Sequence, residues 1–272
     1  MTSPSTYPIL CDSIAARPGR FGVAMHSAAY RAAGLAYTYV AFGTEDTAGA
    51  VQAMRTMGLR GLGVTMPHKT RIAAYLDAVD ATAATIGAVN TVVNDQGRLT
   101  GYNTDWQGAL DALAEAGPVK GPAVVIGAGG GARAVVYALR SQGCAVTVLN
   151  RSGERGQALA AGFGVHYGGG PERLAEAGPY RLLVHATPVG LQAPDAIAVP
   201  PEALLPGAIV LDLVAMPIET RLLAEAKARF CRTVPGVRVQ LHQARGQFSL
   251  YTGREPDLAV MEQALREALT QS

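Results

Sequence analysis

The chain carries a short glycine-rich segment that could hold a phosphate. Gly127-Ala128-Gly129-Gly130-Gly131-Ala132-Arg133 follows an apolar run ending at Ile126 and fits the spacing GxGxxA with Gly127, Gly129 and Ala132. In such a turn the first glycine permits a tight bend and the second lets main-chain N–H groups approach a pyrophosphate. The small third residue lets helix and strand pack closely. With 32 glycines in the chain a chance match is easy, so the surroundings decide. Here a strand precedes the turn, a helix follows, and a second strand ends roughly 20 residues later, as a dinucleotide site requires.

That second strand ends in Leu149-Asn150-Arg151-Ser152, with Arg155 close behind. A carboxylate at this place would accept hydrogen bonds from ribose hydroxyls and repel the extra phosphate of NADP. Arg151 and Arg155 instead offer planar, paired donors that suit a phosphate, and Ser152 adds another. Each arginine alone could be a surface charge; both together at this position favour NADP. The expected cofactor site is Gly127, Ala128, Gly129, Gly130, Gly131, Asn150, Arg151, Ser152 and Arg155.

Two further segments put polar residues at the ends of short apolar runs: Gly63-Val64-Thr65-Met66-Pro67-His68-Lys69, and Gly87-Ala88-Val89-Asn90-Thr91 with Gly101-Tyr102-Asn103-Thr104-Asp105. Loops at the carboxyl ends of strands are where open α/β sheets bind ligands. Hydride transfer from a secondary alcohol must also remove the hydroxyl proton, and a lysine beside a carboxylate can take it. Spacing alone does not choose between Lys69 and Asp105 as such a pair and as helix-start residues of two unrelated loops.

The elements that must position these groups alternate between strand and helix, the pattern of an α/β protein with largely parallel sheets. Strands are expected at Leu35–Phe42, Gly61–Thr65, Pro122–Ile126, Val146–Leu149, Leu182–His185 and Ile209–Leu213, and helices at Thr47–Met57, Lys69–Leu76 and about Asp105–Ala116. Val89–Val93 and Leu99–Tyr102 read as a hairpin around Asp95, Gln96 and Gly97. Gly117 and Pro118 are stop signals for the Asp105 helix. Two helices close the chain, Val239–Leu250 and Asp257–Leu269, joined by a turn at Gly253.

Bulk composition removes other classes of function. Of 272 residues 49% are hydrophobic and 16% charged, which is a packed globular composition rather than a disordered one. The net charge of +2 arises from 23 basic and 21 acidic side chains without a basic stripe, so no nucleic-acid partner is expected. Cys11, Cys144 and Cys231 are scattered and odd in number, and the five histidines show no paired-ligand spacing, so neither a disulfide framework nor a metal site is expected. No apolar run reaches the roughly 18 residues of a membrane span, and Met1–Ile9 lacks the basic start and apolar core of a leader. A cytoplasmic protein with no membrane partner is expected. His68, His166, His185 and His242 read as structural or surface residues, and Trp106 as a packing residue.

The segments quoted above, with Ala186-Thr187-Pro188, follow one another in the order of the shikimate dehydrogenase family's motifs, and the chain resembles that family over essentially its whole length. The resemblance implies an α/β substrate domain at 1–106 completed by C-terminal helices at 238–272. Between them, at 107–237, it implies a Rossmann-type NADP domain with a mainly parallel sheet, and an active site in the intervening cleft. It makes Lys69 and Asp105 the catalytic pair, gives Thr65, Asn90 and Gln243 the substrate hydroxyls, and puts Thr187, Leu213 and Gly236 near the nicotinamide. The implied activity is reversible, NADP-dependent hydride transfer between shikimate, or a close cyclic polyhydroxy acid, and its 3-dehydro form, by a monomer or homodimer.

One sub-site departs from the family. The usual Ser-x-Ser followed by Pro-x-x-His, which holds the substrate carboxylate, reads Arg20-Phe21-Gly22-Val23-Ala24-Met25-His26 here, and the usual Tyr-Asp-x-x-Tyr reads Leu211-Asp212-Leu213-Val214-Ala215. Three hydroxyl donors are missing, each worth about 1.5–3 kcal/mol toward a charged group. Arg20 can compensate by pairing with a carboxylate. The pattern resembles the shikimate-dehydrogenase-like branch. Two alternatives follow: a dehydrogenase for a different quinate- or shikimate-like substrate selected near Arg20 and Gly22, or a weakly active or non-catalytic NADP-binding sensor.

Overall fold

The computed structural model describes residues 7–270. They divide into two compact units, one running to Thr104 and resuming at Gln243, the other Asp105–His242. The first unit contains β1 (Ile9–Ala15), α1 (Phe21–Ala32), β2 (Tyr37–Gly43), α2 (Thr47–Met57), β3 (Gly61–Val64), β4 (Ala78–Val79), α3 (Ala81–Ile86), β5 (Thr91–Asp95) and β6 (Arg98–Tyr102). Its six-stranded sheet has the order β2-β1-β3-β5-β6-β4. This sheet is mixed: β1 pairs in parallel with β2 and β3, whereas β5 runs antiparallel to both β3 and β6.

The second unit contains α4 (Asp105–Ala116), β7 (Ala123–Ile126), α5 (Gly130–Ser141), β8 (Val146–Leu149), α6 (Gly153–Phe163), β9 (His166–Gly169), β10 (Leu182–His185), β11 (Ile209–Asp212), α7 (Arg221–Ala228) and β12 (Arg232–Val234). Its sheet is wholly parallel in the order β12-β11-β10-β7-β8-β9. Both faces are covered, which is why its strands are apolar without alternation. Val125, Val148, Val184 and Leu211 face one cluster with Leu113, Val135 and Leu139, while Val124, Ile126, Leu183 and Val210 face another with Leu222 and Leu223. Each fully buried Val or Leu contributes about 1.5–3 kcal/mol, so a charge at any of these positions would break the layer. The chain then forms α8 (Gly236–Thr252) and α9 (Leu258–Thr270), and α8 carries residues of both units from end to end.

Several elements differ from the sequence reading. The strand β1, which lies between β2 and β3, has no counterpart in it, and neither does α1. Lys69–Leu76 is not an α-helix: bonds of the tighter kind, His68 N–H to Thr65 O and Arg71 N–H to His68 O, lead into a 3-10 turn at Ile72–Tyr75. The His68 ring pins this turn through contacts with Thr47 Oγ1 (2.7 Å) and Thr44 O (2.9 Å). The hairpin strand begins at Thr91 rather than Val89, because Val89 N–H bonds Lys69 O and Asn90 N–H bonds Tyr102 O. Its turn is the expected one, with Gln96 and Gly97 both at positive φ (52° and 92°), as a two-residue hairpin loop requires. No described helix is long and apolar enough to cross a membrane.

Candidate active site

In the second unit the strand order reverses between β7 and β10, and the carboxyl ends of these two strands lead into Gly127–Gly131 and Thr187. That reversal is where open parallel sheets bind ligands. Gly127, directly after β7, has φ +123°, and a Cβ there would lie 2.7 Å from the Ala186 carbonyl and 3.1 Å from Thr187 Cγ2, just after β10. Only glycine lets these two segments approach so closely. Gly129 precedes α5 with no capping side chain, and a Cβ on it would meet nothing within 4 Å. The first-turn N–H groups of α5 therefore adjoin open space, the arrangement that suits a pyrophosphate.

Leu213 and Gly236 belong to the same neighbourhood: a Cβ on Gly131 would lie 3.1 Å from Leu213 Cδ1, and one on Gly236 2.6 Å from Val214 O. After β8, Asn150 Nδ2 donates to Ser152 O at 2.8 Å and Tyr167 OH donates to Asn150 O at 3.3 Å, which shapes the turn into α6. Ser152 is the residue that starts α6, with no side-chain cap bond, and Arg151 and Arg155 are exposed beside it. These residues fit the group implied by the sequence, with donors for an exposed phosphate and small residues for the linker. Behind Thr187, the buried His185 ring contacts Asp212 Oδ1 at 2.8 Å.

In the first unit one short segment organises the other expected residues. Val64 N–H donates to Asn90 O at 2.7 Å, which sets Thr65 at the end of β3, and Val89 N–H donates to Lys69 O at 2.8 Å. Asn103 Nδ2 donates to Ala88 O at 2.9 Å, and Thr104 N–H donates to Asn90 Oδ1 at 2.7 Å. Ala88–Asn90 thus holds the main chain at Lys69 and at Thr104, the residue before Asp105. Asn90 is buried, and its Nδ2 donates to Thr104 Oγ1 (2.9 Å) and to Gln243 Oε1 (3.3 Å).

The departing sub-site is at the start of α1. Arg20 takes the N-cap position with no side-chain cap bond and is exposed, and Gly22 lies within the first helical turn. Tyr39 covers this turn: its ring stacks on His26 at 4.3 Å, and a Cβ on Gly22 would stand 3.6 Å from Tyr39 Cε1, while one on Gly63 would stand 2.7 Å from its hydroxyl. Burial lowers the His26 pKa to about 4, against the contact from Gln247 that raises it, so the ring is neutral at neutral pH.

Sequence reasoning missed Thr91, Thr104 and Gln247, which complete the network around Asn90. Gln247 Nε2 donates to Asn90 O (3.1 Å) and Thr91 Oγ1 (3.2 Å), and Thr91 Oγ1 donates to Asn90 Oδ1 (2.7 Å). The signal available was its place four residues after Gln243 on one helix, which puts both glutamines on the same face. Trp106 packs edge-on against Tyr137 at 5.5 Å. Among the described residues no group of three or more His, Cys, Asp or Glu could hold a metal ion.

A family model of the shikimate dehydrogenase substrate-binding domain matches residues 21–92, one of shikimate/quinate 5-dehydrogenase matches 115–169, and one of the shikimate 5′-dehydrogenase C-terminal domain matches 241–266. Shikimate dehydrogenase (NADP(+)) of Moorella thermoacetica is 44% identical over 90% of this chain and 88% of its own length. The crystal structure of shikimate 5-dehydrogenase from Thermus thermophilus in complex with NADP(H) and shikimate superposes with a TM-score of 0.88 at 41% identity, over 96% of this chain and all of that one. The ligand-free 5-ketofructose reductase of Gluconobacter sp. strain CHM43 superposes with a TM-score of 0.83 at 31% identity, over 97% of this chain and 99% of that one. By its sequence and by its fold, the chain belongs to the shikimate dehydrogenase family.

Proposed function

We propose that this chain is an NADP-dependent dehydrogenase that reversibly oxidises a secondary alcohol of shikimate, or of a close cyclic polyhydroxy acid, to the ketone. The observation that carries the reading is the hold of Ala88–Asn90 on both Lys69 and Thr104, because it gives the main chain at Lys69 and the residue before Asp105 one common anchor. In this reading Lys69 takes the hydroxyl proton in the oxidation and returns it in the reduction. Asp105 is its acidic partner in this reading, and a base in that role contributes on the order of 10²–10⁴ in rate. Thr65, Asn90 and Gln243 bind the ring hydroxyls. Gly127–Gly131 hold the pyrophosphate, Asn150, Arg151, Ser152 and Arg155 the adenosine-side phosphate, and Thr187, Leu213 and Gly236 the nicotinamide end. Bound NADP supplies the hydride acceptor. We infer a cytoplasmic enzyme that is a monomer or homodimer.

The test is NADP reduction with shikimate and with quinate at high concentration, wild type against Lys69→Ala. Turnover that falls by about a thousandfold in the variant is the expected result. Absence of turnover with any cyclic hydroxy acid, together with intact NADP binding, would replace this reading by the non-catalytic sensor. A second reading keeps the chemistry and changes the substrate. It is favoured by the start of α1, where Arg20 and Gly22 stand in place of hydroxyl donors, and it is supported by the presence of a 5-ketofructose reductase among the similar structures.

A further inference from the structure

β10 and β11 end side by side in register at His185 and Asp212, and both residues are 1% exposed. The Asp212 carboxylate collects three contacts: the His185 ring at 2.8 Å and Val214 N–H at 3.0 Å on Oδ1, and the Thr220 hydroxyl at 2.7 Å on Oδ2. Thr220 in turn starts α7, accepting from Leu223 N–H at 3.3 Å. A carboxylate so surrounded acts as acceptor, so His185 Nδ1 carries a hydrogen, and in the neutral ring Nε2 is left to accept. The group at Nε2 is Thr187 Oγ1, which also accepts from Val189 N–H at 3.3 Å. A threonine hydroxyl has one hydrogen and two lone pairs. The hydrogen goes to His185 and one lone pair to Val189, so toward a ligand Thr187 offers a lone pair. Its methyl packs against Gly127, the first glycine of the proposed pyrophosphate turn.

We propose that His185, held by Asp212, is a positioning residue of the cofactor site: it commits the Thr187 hydroxyl hydrogen inward, so that Thr187 meets the nicotinamide half of NADP only as an acceptor. This rests on the NADP reading above. The donors on that half are the carboxamide amine and the ribose hydroxyls, and Thr187 selects for one of them. Without the ring behind it, the hydroxyl would rotate among several partners, and the selection would be lost.

The experiment is calorimetric titration of three ligands: NADP, phospho-ADP-ribose, which keeps the second ribose but lacks nicotinamide, and adenosine bisphosphate, which lacks that whole half. Thr187→Val and His185→Asn are each expected to weaken NADP about tenfold and to leave adenosine bisphosphate unchanged, while Thr187→Ser stays within about twofold of wild type. A loss that persists with phospho-ADP-ribose assigns the donor to the ribose, and a loss confined to NADP assigns it to the carboxamide. Should His185→Asn fail to fold, His185→Gln, whose longer amide can reach Thr187 as an acceptor, should bind NADP like wild type. The proposal is overturned if the variants weaken adenosine bisphosphate as much as NADP, or if His185→Asn binds NADP like wild type. A wild-type chain that binds none of the three ligands overturns the NADP reading itself.

Discussion

The main-chain N–H of Thr104 donates to Asn90 Oδ1 at 2.7 Å, and the same oxygen accepts the Thr91 hydroxyl at 2.7 Å. With both acceptor positions of Oδ1 taken, the Asn90 amide can stand only one way round, its Nδ2 toward Thr104 Oγ1 and Gln243 Oε1. Asn90→Asp keeps the shape and replaces these two donations by an oxygen facing oxygens. A buried acceptor left against acceptors costs about 1–3 kcal/mol. The variant should melt several degrees lower, and kcat/KM for the alcohol should fall at least about a hundredfold. Steady-state kinetics beside a melting curve checks this: a lower Tm with kcat/KM kept within about twofold would reduce Asn90 to a structural splice.

How much of this was legible in the sequence follows the range of the forces involved. The turn at Gly127 and the hairpin at Gln96-Gly97 were readable because positive φ is a local demand met by local residue types. β1 was not: Ile9–Ala15 has Asp12 and Ser13 in its middle, and its strand state comes from pairing with β2 and β3, which lie well downstream. The segment after Lys69 has helical composition, yet His68 bonds to Thr44 and Thr47 override it. Asn90 stands out within its motif, whereas its partner Gln247 arrives from the far end of the chain, and side-chain networks of that separation leave only a faint mark in spacing.

Arg151 and Arg155 are exposed at the start of α6 on either side of a glycine and an acid, Gly153 and Glu154. If they bind the extra phosphate of NADP, the preference over NAD is theirs to lose. Each charge-assisted contact is worth about 1.5–3 kcal/mol, so Arg151→Ala should lower the ratio of kcat/KM for NADP over NAD by about tenfold or more. Most of the change should appear in KM for NADP, and it should shrink as salt rises, because the contact is exposed. An unchanged ratio in the double variant Arg151→Ala with Arg155→Ala would move the phosphate elsewhere.

In the proposed reading, Arg20 and Gly22 would decide whether shikimate itself is the substrate. A Cβ on Gly22 meets Tyr39 at 3.6 Å and 3.8 Å, ordinary contact distances, so serine fits there without moving the ring. Serines at both positions restore two hydroxyl donors in the first turn of α1, where the helix dipole also favours a carboxylate. Arg20→Ser with Gly22→Ser should therefore raise kcat/KM for shikimate relative to other polyols by about tenfold or more. A relative preference that stays where it was would show that this turn does not face the substrate's acid group.

Asp12 gives the fold an unusual dependence on pH. It sits in the central part of β1 at 5% exposure, and its Oδ1 is buried without a hydrogen-bond partner. Burial pushes its pKa up from 3.8 to about 7. A carboxyl raised on folding binds its proton more tightly in the folded chain, so its contribution to stability is complete below about pH 4 and is lost as pH rises through about 7. The opposite slope would hold for a carboxylate stabilised by a cation. The loss amounts to about 1.4 kcal/mol for each pH unit between those limits, with a ceiling of about 4 kcal/mol. Asp12→Asn keeps the shape and cannot ionise. Its melting temperature should exceed that of wild type at about pH 8 by several degrees and converge with it below about pH 4. Parallel melting curves for the two proteins across that range would mean that the carboxyl finds a donor or water in solution and remains an ordinary acid.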